Sequence, residues 1–176
     1  MKISTKTTVI IGMFTAVISV LSILTIPMPS GVPITLQTFG IALGGYVLGY
    51  KKGALTTLIY ILLGSIGIPV FAGMTGGVSR LVSYSGGFLW GFLFLVILCG
   101  ASMEKRSIAI RIGLGCVGLL TCHLCGVIQF SMVTSCTLLT SFITVSAPYF
   151  IKDVLSVVGA YLVALPIRRA FQSCSR

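Results

Sequence analysis

Long apolar stretches separated by small groups of basic residues are the feature that most constrains this chain. Of its 176 residues, 56% are hydrophobic and 8% are charged, whereas soluble domains carry roughly 25% charged residues. So few charges cannot cover a water-facing surface, and the composition predicts an integral membrane protein. Because each span takes about 20 residues, the chain has room for roughly six or seven spans. We expect a single domain over residues 1–176.

The charge balance is strongly basic. Twelve Lys or Arg residues face only Glu104 and Asp153, which gives a net charge of +10. In a soluble protein this excess would suggest nucleic-acid binding, which needs basic residues clustered on one polar face. Here the basic residues lie in small groups between apolar runs. We therefore predict contact with a lipid membrane and none with nucleic acid.

The basic residues also predict the topology, because cytoplasmic loops carry an excess of Lys and Arg. Ten of them form four groups: Lys2 and Lys6; Lys51 and Lys52; Lys105, Arg106 and Arg111; Arg168, Arg169 and Arg176. Each apolar stretch between two groups is divided by an interruption that contains Pro, Gly or Ser/Thr. If all four groups are cytoplasmic, the chain crosses the membrane an even number of times between them. This predicts an all-α membrane protein with six transmembrane helices in three hairpins and both termini cytoplasmic. The expected spans are about 8–26, 34–48, 53–68, 86–101, 112–134 and 149–167.

The first apolar run has the basic start of a signal peptide. It is longer than the apolar core of a signal peptide and lacks a small-residue cleavage motif, so we expect it to remain as the first helix. The chain is therefore expected to cross a membrane several times.

Three charged residues do not fit the cytoplasmic loops: Arg80, Lys152 and Asp153. Ionisable groups in or near the membrane are costly and are therefore candidates for function. Arg80 or Lys152 could instead extend to lipid headgroups, and Asp153 could be an acid in the first turn of a helix. Asp153 is nevertheless the only acid expected on that side of the membrane.

Small residues four positions apart are frequent, and this spacing lets helices approach closely. Gly40 and Gly44, Gly45 and Gly49, Gly49 and Gly53, and Gly87 and Gly91 predict internal packing. Gly12 and Ala16 on the first helix have the same spacing and could instead contact a partner.

Motifs for cofactors and metals are weak. The six cysteines lie mostly in apolar runs and are expected to pack as small hydrophobes. The Gly-x-Gly-x-x-Gly run at 113–118 lies inside a predicted span, and the Cys-x-x-Cys run at 122–125, which encloses His123, lacks further zinc ligands. The chain has no Walker A sequence and no cluster of acids, histidines or nucleophiles. We therefore expect no enzyme, no cofactor and no metal site.

Six stretches, in order along nearly the whole chain, resemble the BioY family, the biotin-specific S component of energy-coupling-factor (ECF) transporters. The most specific are Val32-Pro-Ile-Thr-Leu-Gln-Thr-Phe39 and the Gly-Ile-Pro-Val-Phe-Ala-Gly run at 67–73; the others are Ile26-Pro-Met-Pro29, Leu48-Gly-Tyr-Lys-Lys-Gly-Ala54, Gly86-Gly-Phe-Leu-Trp-Gly-Phe92 and Pro148-Tyr-Phe-Ile-Lys-Asp153. The resemblance implies a six-helix S-component fold in the bacterial inner or plasma membrane that captures biotin from outside. It also implies a membrane T component and two cytoplasmic ATPase subunits as partners.

The resemblance further assigns Gly12 and Ala16 to docking of the T component and the loop Pro27–Pro33 to a lid over the vitamin. Biotin has two ureido N–H donors, an apolar ring and chain, and a carboxylate tail. Asp153 can accept from a ureido N–H, and the tail needs a cation because an unpaired carboxylate away from water is costly. Neutral hydrogen bonds are available from Thr35, Gln37, Thr75 and Gln129, and the apolar walls could come from Phe39, Phe71, Tyr84 and Tyr149.

Two positions depart from the family pattern. The family usually carries Lys three residues after the acid of its last helix, where this chain has Ser156, and it often has Asn or Ser near the position of Thr75. The tail is therefore expected to depend on Lys152 or on Arg80, whose planar guanidinium suits a carboxylate better. Three alternatives stay open: an S component for another vitamin such as thiamine or riboflavin, a facilitator that needs no ATPase, and a membrane enzyme.

Overall fold

The computed structural model describes residues 4–29 and 31–173, and Lys2, Cys174 and Arg176 lie outside these ranges. Within them the chain is mostly helical, as predicted. Its elements, in chain order, are α1 (Thr5–Ile23), β1 (Thr25–Ile26), β2 (Ile34–Thr35), α2 (Gln37–Ser65), α3 (Ser79–Val82), α4 (Gly86–Ser102), α5 (Ile108–Thr134), α6 (Leu138–Val145) and α7 (Ala147–Ser173).

Several helices present apolar side chains to the outside. In the described part of the chain, α1, α5 and residues 147–171 of α7 are long and apolar enough to cross a membrane, and α4 is a shorter apolar helix. Val20 on α1, Leu124 on α5 and Ile151 on α7 are 60%, 59% and 74% exposed. Exposed apolar surface of this extent is unfavourable in water. It is favourable in contact with lipid chains.

Helix α2 differs from the prediction of two spans joined by a loop. It is interrupted at Gly49, whose φ of +79° and ψ of 172° are not helical, and it resumes at once with Lys51 and Lys52 in the second half. Glycine adopts a positive φ without strain, so the direction changes without a loop. The Tyr46 carbonyl at the end of the first half accepts a hydrogen bond of 3.0 Å from Nη1 of Arg168.

The segment between α5 and α7 is a second difference, since the prediction placed an interruption there. Helix α5 ends where Ser135 takes a left-handed conformation with φ of 55°. Helix α6 then follows, capped by Thr137, whose hydroxyl accepts a hydrogen bond from the Thr140 backbone N–H. At eight residues α6 is about 12 Å long and too short to span a bilayer.

Close packing of α4 against α2 and α5 depends on glycine. An ideal Cβ added at Gly45 would lie 2.6 Å from the carbonyl oxygen of Val96, and one added at Gly91 would lie 2.6 Å from Cα of Cys122. No larger residue fits at these positions without moving a backbone. By contrast, a Cβ at Gly49 or Gly12 would have no atom within 4 Å. Gly49 therefore forms the break in α2, and Gly12 faces away from the bundle.

The connection between α1 and α2 covers one end of the bundle. β1 and β2 pair in antiparallel register, Thr25 with Thr35 and Ile26 with Ile34. This pairing closes the loop 27–33 above the start of α2. The loop, the starts of α2 and α7 and the segment before α4 together enclose the site described next.

Candidate functional site

A cavity of about 420 Å³ lies beneath the loop 27–33. This volume falls in the range of roughly 300–1,000 Å³ that is typical of small-molecule sites. Its lining combines aromatic and aliphatic side chains with a few polar groups and three charged residues: Thr25, Pro27, Met28, Gly31, Val32, Pro33, Thr35, Gln37, Thr38, Phe71, Ala72, Gly73, Thr75, Arg80, Tyr84, Ser85, Phe88, Leu89, Phe92, Val145, Tyr149, Lys152 and Asp153.

Asp153, near the start of α7, is the buried acid of this cavity, with 6% of its surface exposed. Its Oδ1 forms an ion pair with Nζ of Lys152. Its Oδ2 lies 3.4 Å from Nε2 of His123 on α5, and Thr38 on α2 also faces the carboxylate. Donors from three helices therefore hold a negative charge at the cavity wall.

Lys152 also connects α7 to the strand β2. Its Nζ donates a hydrogen bond of 3.0 Å to the carbonyl of Thr35, and its side chain is 28% exposed. Adjacent helical residues point about 100° apart, but the long Lys side chain turns back to reach the neighbouring carboxylate. Its charge is thus already balanced by Asp153.

Arg80 reaches the cavity from α3. Among the described residues no carboxylate pairs with it, so no acid in that part of the chain balances its charge. Its carbonyl accepts a 2.9 Å hydrogen bond from Ser83 Oγ. Nε2 of Gln129 donates to the carbonyls of Leu81 and Ser83 at 2.8 and 2.7 Å. Gln129, predicted to bind ligand, lies outside the cavity and instead fixes the segment that carries Arg80.

Nine of the twelve predicted binding residues line the cavity: Asp153, Arg80, Lys152, Thr35, Gln37, Phe71, Thr75, Tyr84 and Tyr149. Gln37 is held by a 2.7 Å hydrogen bond from its Nε2 to the hydroxyl of Tyr60. The Tyr60 ring in turn packs edge-to-face on Phe71, with ring centroids 5.5 Å apart. Thr75 turns its hydroxyl toward the carbonyl of Ala72, at 2.9 Å.

Phe39 and Ser156 lie elsewhere, in an outer groove between α2 and α7 that also contains Leu36 and Gly159. Phe39 is two residues after Gln37 on α2 and so points about 200° away from it. The hydroxyl of Ser156 donates to the carbonyl of Lys152 at 2.9 Å. Neither side chain lines the cavity that contains Asp153.

Sequence reasoning missed Thr38 and His123. The prediction placed an aromatic wall at Phe39, whereas the preceding residue faces the acid. His123 was interpreted as a packed helix residue. It is 4% exposed and packs edge-to-face against the rings of Phe88 and Phe150, with centroid distances of 5.8 and 5.6 Å. The one sequence signal for its polar contacts was that it is the single histidine in a chain with two acids.

The loop 27–33 is held against the cavity by two tyrosines. The hydroxyl of Tyr84 donates to the carbonyl of Gly31 at 3.1 Å, and that of Tyr149 donates to the carbonyl of Val32. Val32 also packs on Phe130 and Val145. The loop therefore closes the cavity from above.

The arrangement can hold a small, partly apolar molecule that donates hydrogen bonds to Asp153 and presents an anion to Arg80. No group of three or more His, Cys, Asp or Glu side chains suited to a metal occurs among the residues that the structure describes. Gly12 and Ala16 lie on the exposed face of α1, away from the cavity.

Comparisons with known proteins point to one family. The family model described as "BioY family" matches residues 1–173. The biotin transporter BioY of Thermotoga maritima is 37% identical over 160 residues, which cover 90% of this chain and 93% of that protein. The biotin transporter BioY of Rhodobacter capsulatus is 35% identical over 172 residues, with 90% of each chain covered.

A solved structure agrees with the sequence comparisons. The crystal structure of the S-component for biotin from an ECF-type ABC transporter matches with a TM-score of 0.82 and 29% identity. The match covers 95% of this chain and 91% of that one. The fold is therefore shared over almost the full length of both chains.

Proposed function

Since the chain belongs to the BioY family, we propose that it is a membrane-embedded biotin-capture subunit that binds biotin from outside and mediates its uptake. The observation that carries this proposal is one cavity that contains both a buried acid, Asp153, and Arg80, a cation with no partner carboxylate among the described residues. A ureido N–H can donate to the acid, and the valerate carboxylate can pair with the guanidinium.

The same charges argue against other vitamins. Thiamine is a cation and would meet Arg80 as a like charge. Riboflavin has no carboxylate, so the guanidinium would stay unpaired in a partly buried site. Transport of biotin alone also requires no catalysis by this chain, and we propose no enzymatic role.

A binding panel tests the proposal. Purified protein in detergent should bind labelled biotin saturably with one site per chain, and excess unlabelled thiamine or riboflavin should not compete. Biotin competition by one of those vitamins at comparable concentration would assign the cavity to a different substrate.

Six membrane crossings are part of the proposal: α1, the two halves of α2 on either side of Gly49, α4, α5 and α7. Two hydrogen bonds donated by arginines at the end away from the cavity support it. Arg168 donates to Tyr46 beside the break in α2, and Nε of Arg111 donates to the carbonyl of Lys105 at 2.7 Å. The positive-inside rule then places this end, with both termini, in the cytoplasm.

Single cysteines, introduced into a variant whose six native cysteines are replaced, test this topology. A cysteine at Arg106 should react with a membrane-impermeant maleimide only after the cells are opened, and one at Arg80 should react in intact cells. Labelling of both from the same side would refute three hairpins.

Uptake is proposed to need an ECF T component and two ATPase subunits, because the chain has no Walker A sequence. The exposed face of α1 with Gly12 and Ala16 is the proposed docking surface. A small-residue stripe permits close helix approach, and a Cβ at Gly12 would meet no atom of this chain within 4 Å.

Replacing Gly12 or Ala16 by Leu should therefore reduce biotin uptake by about tenfold or more in cells that contain the energising module, while biotin binding in detergent stays unchanged. Gly113→Leu is the matched control, because Gly113 is also exposed on a helix and free of neighbours within 4 Å. Uptake that persists without any ATPase would favour the facilitator instead.

A further inference from the structure

The single histidine of the chain lies directly behind the acid of the cavity, and nothing in the proposed function so far uses it. Nε2 of His123 is 3.4 Å from Oδ2 of Asp153. On its other side, Nδ1 is 2.9 Å from Oγ of Ser146. The three side chains form a chain from the short connection before α7, through α5, to the cavity wall.

We propose that His123 is a positioning residue for ligand binding: it donates from Nε2–H to Asp153 and, held by Ser146, fixes the carboxylate so that its remaining lone pairs face the cavity. This inference rests on the proposed function, since the ligand it positions Asp153 for is biotin. His123 is absent from the cavity lining and acts through the acid alone.

Charge and hydrogen-bonding rules determine which groups donate and which accept between Ser146, His123 and Asp153. A carboxylate only accepts hydrogen bonds, so the nitrogen that faces Asp153 must carry a proton. In a neutral ring Nδ1 is then an acceptor, and the hydroxyl of Ser146 can donate to it. The opposite tautomer would place a lone pair of Nε2 against the carboxylate oxygen.

The contact between His123 and Asp153 matters because the side chains that form it are buried. His123 is 4% exposed, Ser146 is fully buried and Asp153 is 6% exposed. The imidazole also packs edge-to-face against the Phe88 and Phe150 rings, and this packing limits its rotation. The other groups facing the acid are Lys152, Thr38 and the cavity itself. Without His123, Asp153 keeps only donors on the α2 and Lys152 sides and can turn away from the ligand.

Three variants separate hydrogen bonding from packing. His123→Leu removes the donor and keeps a similar volume, and it should weaken biotin binding about tenfold or more, the usual effect of losing a hydrogen bond to a charged group. His123→Gln keeps an N–H at about the same reach and should bind within about threefold of the parent. Leu119→Ala is the packing control, since Leu119 is buried on α5 one turn earlier and does not line the cavity.

The loss in His123→Leu should be equal for biotin and for a biotin amide, because Asp153 is assigned to the ureido group and not to the tail. Equal binding by His123→Leu and the parent would overturn the inference, as would a loss in His123→Gln as large as that in His123→Leu. If His123→Leu does not fold, Ser146→Ala provides the test. It should weaken binding by about threefold or more, and unchanged binding would contradict the proposed hydrogen bonds from Ser146 through His123 to Asp153.

A measurement without ligand keeps the inference separate from the proposed function. Because the chain has one histidine, ¹⁵N-histidine labelling gives the ring spectrum of His123 alone. A protonated Nε2 is expected, with chemical shifts that move in Asp153→Asn. An unprotonated Nε2 would overturn the positioning role even if biotin binds, whereas a parent that binds no biotin but shows this spectrum would refute only the proposed function.

Discussion

Replacing Asp153 by Ala should weaken biotin binding by roughly 30-fold or more, since removing one partner of a desolvated charged pair costs about 2–5 kcal/mol. The carboxylate is the acceptor assigned to the ureido group, and it also balances Lys152 and accepts from His123. Its loss therefore removes the contact to ligand and leaves Lys152 without its carboxylate partner at a partly buried site. Equilibrium binding of labelled biotin to the purified variant measures the effect.

Asp153→Asn separates the charge from the shape of the side chain. An amide oxygen accepts a weaker hydrogen bond than a carboxylate, so this variant should fall between the parent and Asp153→Ala. Both variants should weaken biotin and biotin amide to the same degree, and thermal unfolding in detergent controls for loss of fold. An Asp153→Ala protein that remains folded and binds as the parent does would show that the ureido group is recognised elsewhere.

Asp153 and Arg80 could be predicted from the sequence because charges are so rare in this chain. With two acids and few basic residues outside the expected cytoplasmic groups, counting charges was sufficient to select them. Their arrangement could not be predicted, because it depends on which side chains meet across helices. Lys152 turns back to its neighbour Asp153, so that of the two cations lining the cavity Arg80 is the one without a partner carboxylate among the described residues.

The rest of the prediction was limited because the sequence does not determine where a helix starts or breaks, or which face each residue occupies. The span predicted to start at residue 34 starts as a helix at Gln37, after the strand β2, and the residue type alone favoured Phe39 as a wall. One residue earlier, Thr38 is on the face that meets Asp153. The pattern also indicated a boundary near residues 48–53. Whether that boundary is a loop or a break inside one helix depends on the conformation of Gly49, which composition does not specify.

Arg80→Ala should weaken biotin roughly 30-fold or more but change the affinity for a biotin amide little. The guanidinium lines the cavity without a partner carboxylate among the residues described, and the tail of biotin is the anion proposed to pair with it. An amide tail carries no charge, so removal of Arg80 costs it no ion pair. Competition of the two ligands against labelled biotin gives both affinities in one assay.

Lys152→Ala is the matched comparison, because Lys152 lines the same cavity but is already paired with Asp153 and bound to the Thr35 carbonyl. Its removal leaves the acid without its cation and should weaken both ligands alike. Arg80→Lys keeps the charge but loses the planar pair of donors, so it should recover part of the preference for biotin over the amide. If Arg80→Ala binds biotin as the parent does and Lys152→Ala loses only biotin, the tail is held by Lys152 and the assignment of Arg80 is wrong.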